Sequence, residues 1–313
     1  MDDMVTVGPE QIRASISMAD AIVAVRKAFV GLAGGEFEMP VRTSLGGGAW
    51  LVMSARHQPT SSAMVKTLSL NFTGRQPAIV GTVVWSELAR AGHLIADATA
   101  VTTLRTGAAT GVATDLLALP EASRCTIIGA GGQALDQVRA IHAVRPLTAL
   151  TIVARDPGRG AALAAAVQAE LESTDIELAT DPAAALASAD IVCCATTSRV
   201  PLFTLDALSA RVHVNAIGSF RPSMRELPDE LLGAGTLVVD DVDAVLAESG
   251  EVLHALEAGM IDRNHVVGLG RALTGGVPRT DRTAFKSVGV AAQDWAIARL
   301  LAERFLPPLD DQS

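Results

Sequence analysis

From residue 18 onward the run MADAIVAVRKAFVGLA sets apolar side chains at helical spacing and ends on Gly34-Gly35, which predicts a first helix after a short opening strand. The rhythm then shortens. MPVRTSL, AWLVMSAR, AMVKTLSLN, AIVGTVVWSE and HLIADA are short β-forming runs punctuated by Gly, Pro, Ser and Asn, the pattern of an antiparallel meander. ATAVTTLRTGAATGVATDLLALP restores a helical run of small residues, stopped by Pro120.

From Cys125 strands and helices alternate. A strand at CTII leads to a helix from Gln133 to about Val144, a strand at LTALTIVA to a helix from Gly160 to about Leu171, and a strand at IELAT to a helix from Ala183 to Ser188. Strands follow at ADIVCCAT, VHVNAIGS and TLVVDD. Unpunctuated apolar strands alternating with helices predict a parallel sheet covered on both faces. The fold class is α/β, with a Rossmann-type doubly wound parallel sheet as the second unit. The last helix, SVGVAAQDWAIARLLAERF, follows a Gly/Pro/Thr-rich connection and is expected to pack back on the first unit.

Composition narrows the function. At 313 residues and 49% hydrophobic content the chain can bury two cores. Acidic residues outnumber basic ones 34 to 25, for a net charge of -9, and no run of Lys or Arg could neutralise a phosphate backbone, so nucleic acid is not an expected partner. The three cysteines, Cys125, Cys193 and Cys194, sit in apolar strand-like runs and read as reduced, buried thiols. MDDMVTVGPEQI lacks a signal-peptide pattern and no apolar run matches a membrane span, so a soluble cytoplasmic protein is expected. The absence of tyrosine removes the phenol as a proton donor. His57, His93, His142, His213, His254 and His265 show no ligand spacing, so no metal is expected and they read as loop, surface or satisfied core residues.

The stretch CTIIGAGGQALDQ carries the clearest chemistry. Gly129, Gly131 and Ala134 fill G-x-G-x-x-A directly between strand and helix, where a tight turn brings backbone close to a pyrophosphate at a helix N-terminus. Gln133, beside Ala134, joins this cofactor set. At the end of the next strand, TIVARDPGR, an acid would bind the ribose of NAD and an arginine the 2′-phosphate of NADP. Asp156 precedes Pro157 and reads as a helix N-cap, a pattern repeated at Asp181-Pro182. That leaves Arg155, with Arg159 nearby, as the sugar reader and tilts the cofactor to NADP(H), with NAD(H) as the alternative.

MPVRTSL, AMVKTLSLN, TTLRTGAATGVAT, IIGAGGQA, NAIGSFRPSMREL, ESGEV and FKSVGVAAQDW, in this order from about residue 40 to 295, together resemble the ornithine cyclodeaminase and mu-crystallin family, which includes ketimine reductases and some alanine dehydrogenases. The resemblance implies a discontinuous α+β substrate-binding and dimerisation domain, residues 1–120 and 290–313, around a dinucleotide-binding domain, residues 121–289, in a homodimer. It implies a substrate clamp at Arg42, Lys66 and Arg105, with Thr82 as a further polar position. Two guanidinium forks and an ammonium suit an α-carboxylate on chemical grounds alone. It also implies cofactor contacts at Thr106, Thr196, Thr197, the Ile217-Gly218-Ser219 turn and Val288-Gly289.

Phe220 departs from the pattern: cyclodeaminases carry an aspartate there for the distal amine, and a phenyl ring offers only an apolar wall. The acid that the family carries before Met53 is also absent from AWLVMSAR. The leading expectation is therefore an NADPH-dependent reductase of cyclic imino acids of the 1-pyrroline-2-carboxylate or 1-piperideine-2-carboxylate type. The alternatives are an open-chain, alanine-type amino-acid dehydrogenase, an ornithine cyclodeaminase, or a non-catalytic NADP-dependent small-molecule binding protein. The proton for the imine nitrogen is expected from Lys66, from water held by Thr82, or from solution before binding. Lys66 is expected to stay an ammonium on the carboxylate, because only a strong perturbation brings lysine near neutrality. Glu248 and Glu251 of ESGEV read as a solvated helix end in preference to a place near the cleft, and Asp294 as a residue that orients a member of the clamp.

Overall fold

The computed structural model describes residues 4–71, 77–89, 92–278 and 280–307. In chain order the first elements are β1 (Met4–Val7), α1 (Pro9–Ser15), α2 (Met18–Ala33), β2 (Phe37–Glu38), β3 (Thr43–Leu45), β4 (Trp50–His57), β5 (Ser62–Leu70), β6 (Ile79–Glu87), β7 (His93–Asp97) and α3 (Ala98–Leu117). There follow β8 (Arg124–Ile128), α4 (Ala134–Val144), β9 (Ala149–Val153), α5 (Pro157–Gln168), β10 (Asp175–Ala179), α6 (Pro182–Ala187), β11 (Ile191–Cys194) and β12 (Val212–Ala216). The last are α7 (Asp229–Ala234), β13 (Thr236–Val239), α8 (Val242–Glu248), α9 (Gly250–Glu257), β14 (Val266–Gly268), α10 (Leu269–Gly275), β15 (Arg282–Lys286) and α11 (Ala291–Phe305). The chain divides into two compact units, 1–108 with 290–313 and 109–289, with the division inside α3 rather than at Pro120.

In the first unit the meander forms as the alternation predicts, in the order β7-β6-β5-β4-β2, with β3 beside β4 and β1 added in parallel on β7. Along β5, Met64, Lys66 and Leu68 are buried and Val65 and Thr67 exposed, the period of two expected for a sheet covered on one side. α11 packs on β4, β5 and β6, and α2 packs on α11. Ser17 caps α2 by accepting from the Asp20 amide, and Gly35, at φ +76°, lets the chain leave the helix.

The second unit holds an eight-stranded parallel sheet in the order β10-β9-β8-β11-β12-β15-β13-β14. Alternate strand residues enter different cores. Ile127, Leu150, Ile152 and Cys193 meet Val138, Ile141, Leu163 and Val167 of α4 and α5 on one face. Ile128, Val192, Cys194 and Val214 meet Leu186, Leu231, Leu232 and Val252 of α6, α7 and α9 on the other. From β8 the chain runs outward through β9 and β10, then returns to place β11 on the opposite side of β8, so the strand order reverses between β8 and β11. Open α/β sheets bind ligands outside the carboxyl ends of strands at such a switch point.

Several details differ from the sequence reading. α5 begins at Pro157, not Gly160, because the Asp156 carboxylate accepts from the Gly158 and Arg159 amides and Pro157 is preset for a first helical residue. The connection before the last helix contains β15, inserted between β12 and β13, and α11 begins only at Ala291, after Gly289 at φ +83°. α1 and the short helices α7 to α10 escaped the periodicity because each spans about two turns or fewer.

Candidate functional site

In the first unit three elements converge on one buried ion cluster. Lys66 on β5 is fully buried and pairs with the Asp294 carboxylate on α11 at 2.7 Å, with Thr102 of α3 at 3.4 Å. Arg105, one helical turn beyond Thr102, donates through Nε to the other Asp294 oxygen at 3.2 Å and through Nη1 to Gln293 at 2.6 Å. Among the described residues, the N–H groups of Lys66 and Arg105 outnumber the contacts that Asp294, Gln293 and Thr102 accept.

Among the described residues the cluster carries two cations against one carboxylate, and Arg42 lies close enough to add its own field. A buried excess of positive charge calls for an anion. Burial lowers the Lys66 pKa to about 7; Asp294 opposes the shift, while Arg105 and Arg42 add to it. The expectation of an unperturbed ammonium is therefore corrected: Lys66 sits where it can hold an anion or exchange a proton near neutrality.

Two of the three expected clamp residues, Lys66 and Arg105, thus meet on Asp294, and Arg42 lies within range of Lys66's field. Thr82 is not brought to this cluster. Strand register pairs Lys66 with Val83 on the buried face and Thr82 with Thr67 on the exposed one, where their hydroxyls lie 3.2 Å apart. Water held by Thr82 is consequently no proton source for Lys66's side of this sheet. Thr106 is buried and its hydroxyl donates to the Thr102 carbonyl at 2.6 Å, within α3.

In the second unit the glycine loop leaves β8 and enters α4. Gly129, at φ +111°, is required by the fold itself, since a Cβ there would lie 2.5 Å from the Ala195 carbonyl oxygen. Gly131 differs: a Cβ would meet nothing within 4 Å. The protein's own packing does not demand glycine at that point, whereas a pyrophosphate approaching the backbone would. Gln133, at the start of α4, has a buried amide oxygen with no partner among the described residues. The open turn at Gly131 fits a dinucleotide phosphate, whereas the Gln133 oxygen, an acceptor, would suit a hydroxyl or N–H donor.

At the ends of β11 and β12, Thr196 and Gly218-Ser219 come together, Ile217 is buried, and Thr197 is exposed. Val288 and Gly289 donate their amides to the buried Asp240 carboxylate at 3.0 and 2.7 Å, which holds the turn after β15. Arg155 is exposed just past β9, Asp156 is committed to capping α5, and Arg159 lies 3.7 Å from Asp156. Phe220 packs against the core under α7 and α9, with the Arg221 guanidinium 5.3 Å from its ring centre.

Glu251 overturns its reading as a solvated helix end: it is fully buried and paired with Lys286. Sequence reasoning also missed Lys286, Glu226 and Asp240. Like Lys66, Lys286 is a cation inside an apolar strand run, and that was the signal available for it. His213 is a satisfied core histidine, bonded to Thr283 and Asn215, and burial lowers its pKa to about 4. No helix among the described residues is long and apolar enough to cross a membrane.

Residues 2–307 match the model of the ornithine cyclodeaminase/mu-crystallin family. Delta(1)-pyrroline-2-carboxylate reductase of Bacillus cereus is 36% identical over 236 residues, 73% of this chain and 72% of that one. Among solved structures, the Thermococcus litoralis Delta(1)-pyrroline-2-carboxylate reductase in complex with NADH and L-proline aligns with a TM-score of 0.90 at 28% identity, covering 96% of this chain and 97% of that one. An archaeal alanine dehydrogenase dimer with bound NAD aligns with a TM-score of 0.86 at 26% identity over 96% and 95% of the chains.

Proposed function

Since the chain belongs to the ornithine cyclodeaminase/mu-crystallin family, we propose that it is a reductase of small cyclic imino acids of the 1-pyrroline-2-carboxylate type, dependent on a nicotinamide dinucleotide. The observation that carries this reading is the buried Lys66–Asp294–Arg105 cluster with Arg42 beside it, a receptor with positive charge left over for an α-carboxylate. The apolar Phe220, in place of an acid, equips the chain to reduce a preformed cyclic imine rather than to manage a distal ammonium.

The residues have separable tasks. Arg42 and Arg105 fix the carboxylate, and through it the plane of the imine. Lys66 adds an ammonium that, with a pKa of about 7, can also pass a proton to the developing amine nitrogen. Asp294 keeps that ammonium charged and oriented. When bound, the reduced nicotinamide supplies the hydride. The open amide groups at Gly131 and the start of α4 would hold the pyrophosphate.

The test is dinucleotide oxidation by purified protein with 1-pyrroline-2-carboxylate, its six-membered analogue, or pyruvate plus ammonium. Turnover confined to the cyclic imines is expected. Preference for pyruvate plus ammonium would overturn the substrate assignment in favour of an open-chain dehydrogenase.

With Asp156 engaged in its cap, Arg155 is the residue left to meet a 2′-phosphate, so NADPH is the proposed cofactor. Arg155→Ala is expected to lower the NADPH-to-NADH ratio of kcat/KM about tenfold, one charged contact's worth; an unchanged ratio rejects the assignment. Gly131→Ala is expected to leave the melting temperature nearly unchanged, since no atom is displaced, and to weaken dinucleotide binding at least about tenfold. Comparing thermal melts with dinucleotide titrations separates the two effects.

Homodimerisation is supported by the uncovered face of the first unit's sheet. There Val65 and Val84 are cross-strand neighbours, and Leu45 faces Trp50, all exposed in the single chain. A cytoplasmic location agrees with three buried free cysteines.

A further inference from the structure

The second unit contains a buried charge cluster that the reaction itself does not use. Three turns lie backbone against backbone at the carboxyl ends of the neighbouring strands β8, β11 and β12. A Cβ on Gly129 would meet the Ala195 oxygen at 2.5 Å, and one on Gly218 would meet the Thr196 oxygen and nitrogen at 2.1 and 2.3 Å. Glycine at each junction lets the turns stack this closely. Past the last strand-like bonds, from the Ala195 amide to Ile128 and from the Ile217 amide to Cys194, the amides of Thr196, Gly218 and Ser219 need other acceptors.

Glu226 supplies them. One carboxylate oxygen accepts from the Thr196 amide at 2.7 Å and the Thr196 hydroxyl at 2.8 Å; the other accepts from the Gly218 amide at 2.8 Å and the Ser219 amide at 3.1 Å. One side chain therefore spans both turns. It sits on the loop between β12 and α7, is completely buried, and is itself anchored from several directions. Its amide donates to Glu251 at 2.8 Å, its carbonyl accepts from Leu202 at 2.9 Å, and the preceding Arg225 amide donates to Ser198 at 2.9 Å.

Glu251 in turn accepts from the hydroxyls of Ser219 and Ser249 and faces Lys286 at 3.5 Å. Lys286, at the end of β15, donates to the Ser219 carbonyl and hydroxyl. Burial raises the Glu226 pKa, with the Lys286 ammonium opposing the shift. A carboxylate filled by N–H and O–H donors on both oxygens can accept all of them only when ionised.

We infer that Glu226 is a positioning residue for dinucleotide binding: by clasping the turns after β11 and β12 from behind, it sets the backbone and hydroxyl positions that those turns present to the cofactor. This rests on the dinucleotide reading of the second unit. A carboxylate that only stabilised the unit would affect melting without singling out the dinucleotide. One that sets these turns must change dinucleotide affinity selectively.

The experiment compares wild type with Glu226→Gln, an isostere whose amide nitrogen cannot accept from the turn amides. NADPH and NADH binding is titrated by nicotinamide fluorescence, the KM for the cyclic imine is measured at saturating dinucleotide, and thermal melts monitor the fold. The expected result is dinucleotide affinity at least about tenfold weaker, with the imine KM within about twofold of wild type. A folded variant that melts earlier but binds dinucleotide as wild type does overturns the inference. Should the glutamine chain not fold, Glu226→Asp keeps the charge and withdraws the oxygens by one methylene; at least about threefold weaker dinucleotide binding supports the clasp and unchanged binding sinks it. Failure of the wild-type protein to bind either dinucleotide removes the underlying reading, an outcome visible before any variant is made.

Discussion

Lys66→Met is expected to lower kcat/KM for the cyclic imine by about 100-fold below pH 7, mainly through KM. A charge-assisted hydrogen bond contributes about 1.5–3 kcal/mol, and tenfold in rate corresponds to about 1.4 kcal/mol. The deficit should shrink as pH rises, and its sign follows from the lysine. Burial brings the Lys66 pKa from 10.5 down to about 7, so the wild-type chain holds the ammonium below pH 7 and loses it above. Affinity for an inert planar anion such as pyrrole-2-carboxylate, whose ring does not titrate in this range, should fall about tenfold per pH unit above about 7. In Lys66→Met the same profile should be flat. A flat profile for the wild type would show that the ammonium is not part of the receptor. Stability runs the other way. The unfolded chain binds more protons between about pH 7 and 10.5, so this group's contribution to stability is lowest below pH 7 and improves toward 10.5.

Asp294→Asn is expected to be the most damaging conservative change in the first unit. The carboxylate is fully buried, pairs with both Lys66 and Arg105, and is the largest influence holding the Lys66 pKa up. Without it two buried cations face each other unneutralised, and breaking such a pair costs about 3–5 kcal/mol. Lys66 would relieve part of that cost by releasing its proton. The alkaline fall in kcat/KM should therefore move from about pH 7 to lower pH, and thermal melts should shift strongly downward. A variant that melts normally with an unshifted pH profile would mean that Asp294 neither balances nor orients the clamp. Reading both quantities matters, because a merely destabilised protein would keep the wild-type profile.

The clamp also shows how far sequence reasoning reaches. The resemblance picked out Arg42, Lys66 and Arg105; for Lys66 and Arg105 the apolar or small neighbours in MVKTL and TTLRTG also call for a partner, and the structure shows what those two are partnered with. Lys286 sits in just such a run, yet nothing local links it to Glu251 or Ser219. Thr82 illustrates the opposite limit: alternation shows that it and Lys66 lie on neighbouring strands of one meander, but a single step of register puts them on opposite faces.

What the sequence by itself determined was local and periodic. The alternation of the meander, the unpunctuated strands from Cys125 onward, the Asp-Pro caps and the glycine turn between β8 and α4 are each encoded within a few residues, and each appears where that code places it. The tertiary structure decided which side chains meet. Arg105 and Asp294 are 189 residues apart, Lys286 and Ser219 67 apart, and Thr196 and Glu226 30 apart. Their protonation follows from burial and from the charges folding brings beside them, as in Lys66 and Glu251. No short-range pattern carries that information, because the energy of a buried charge depends on every group that folding places around it.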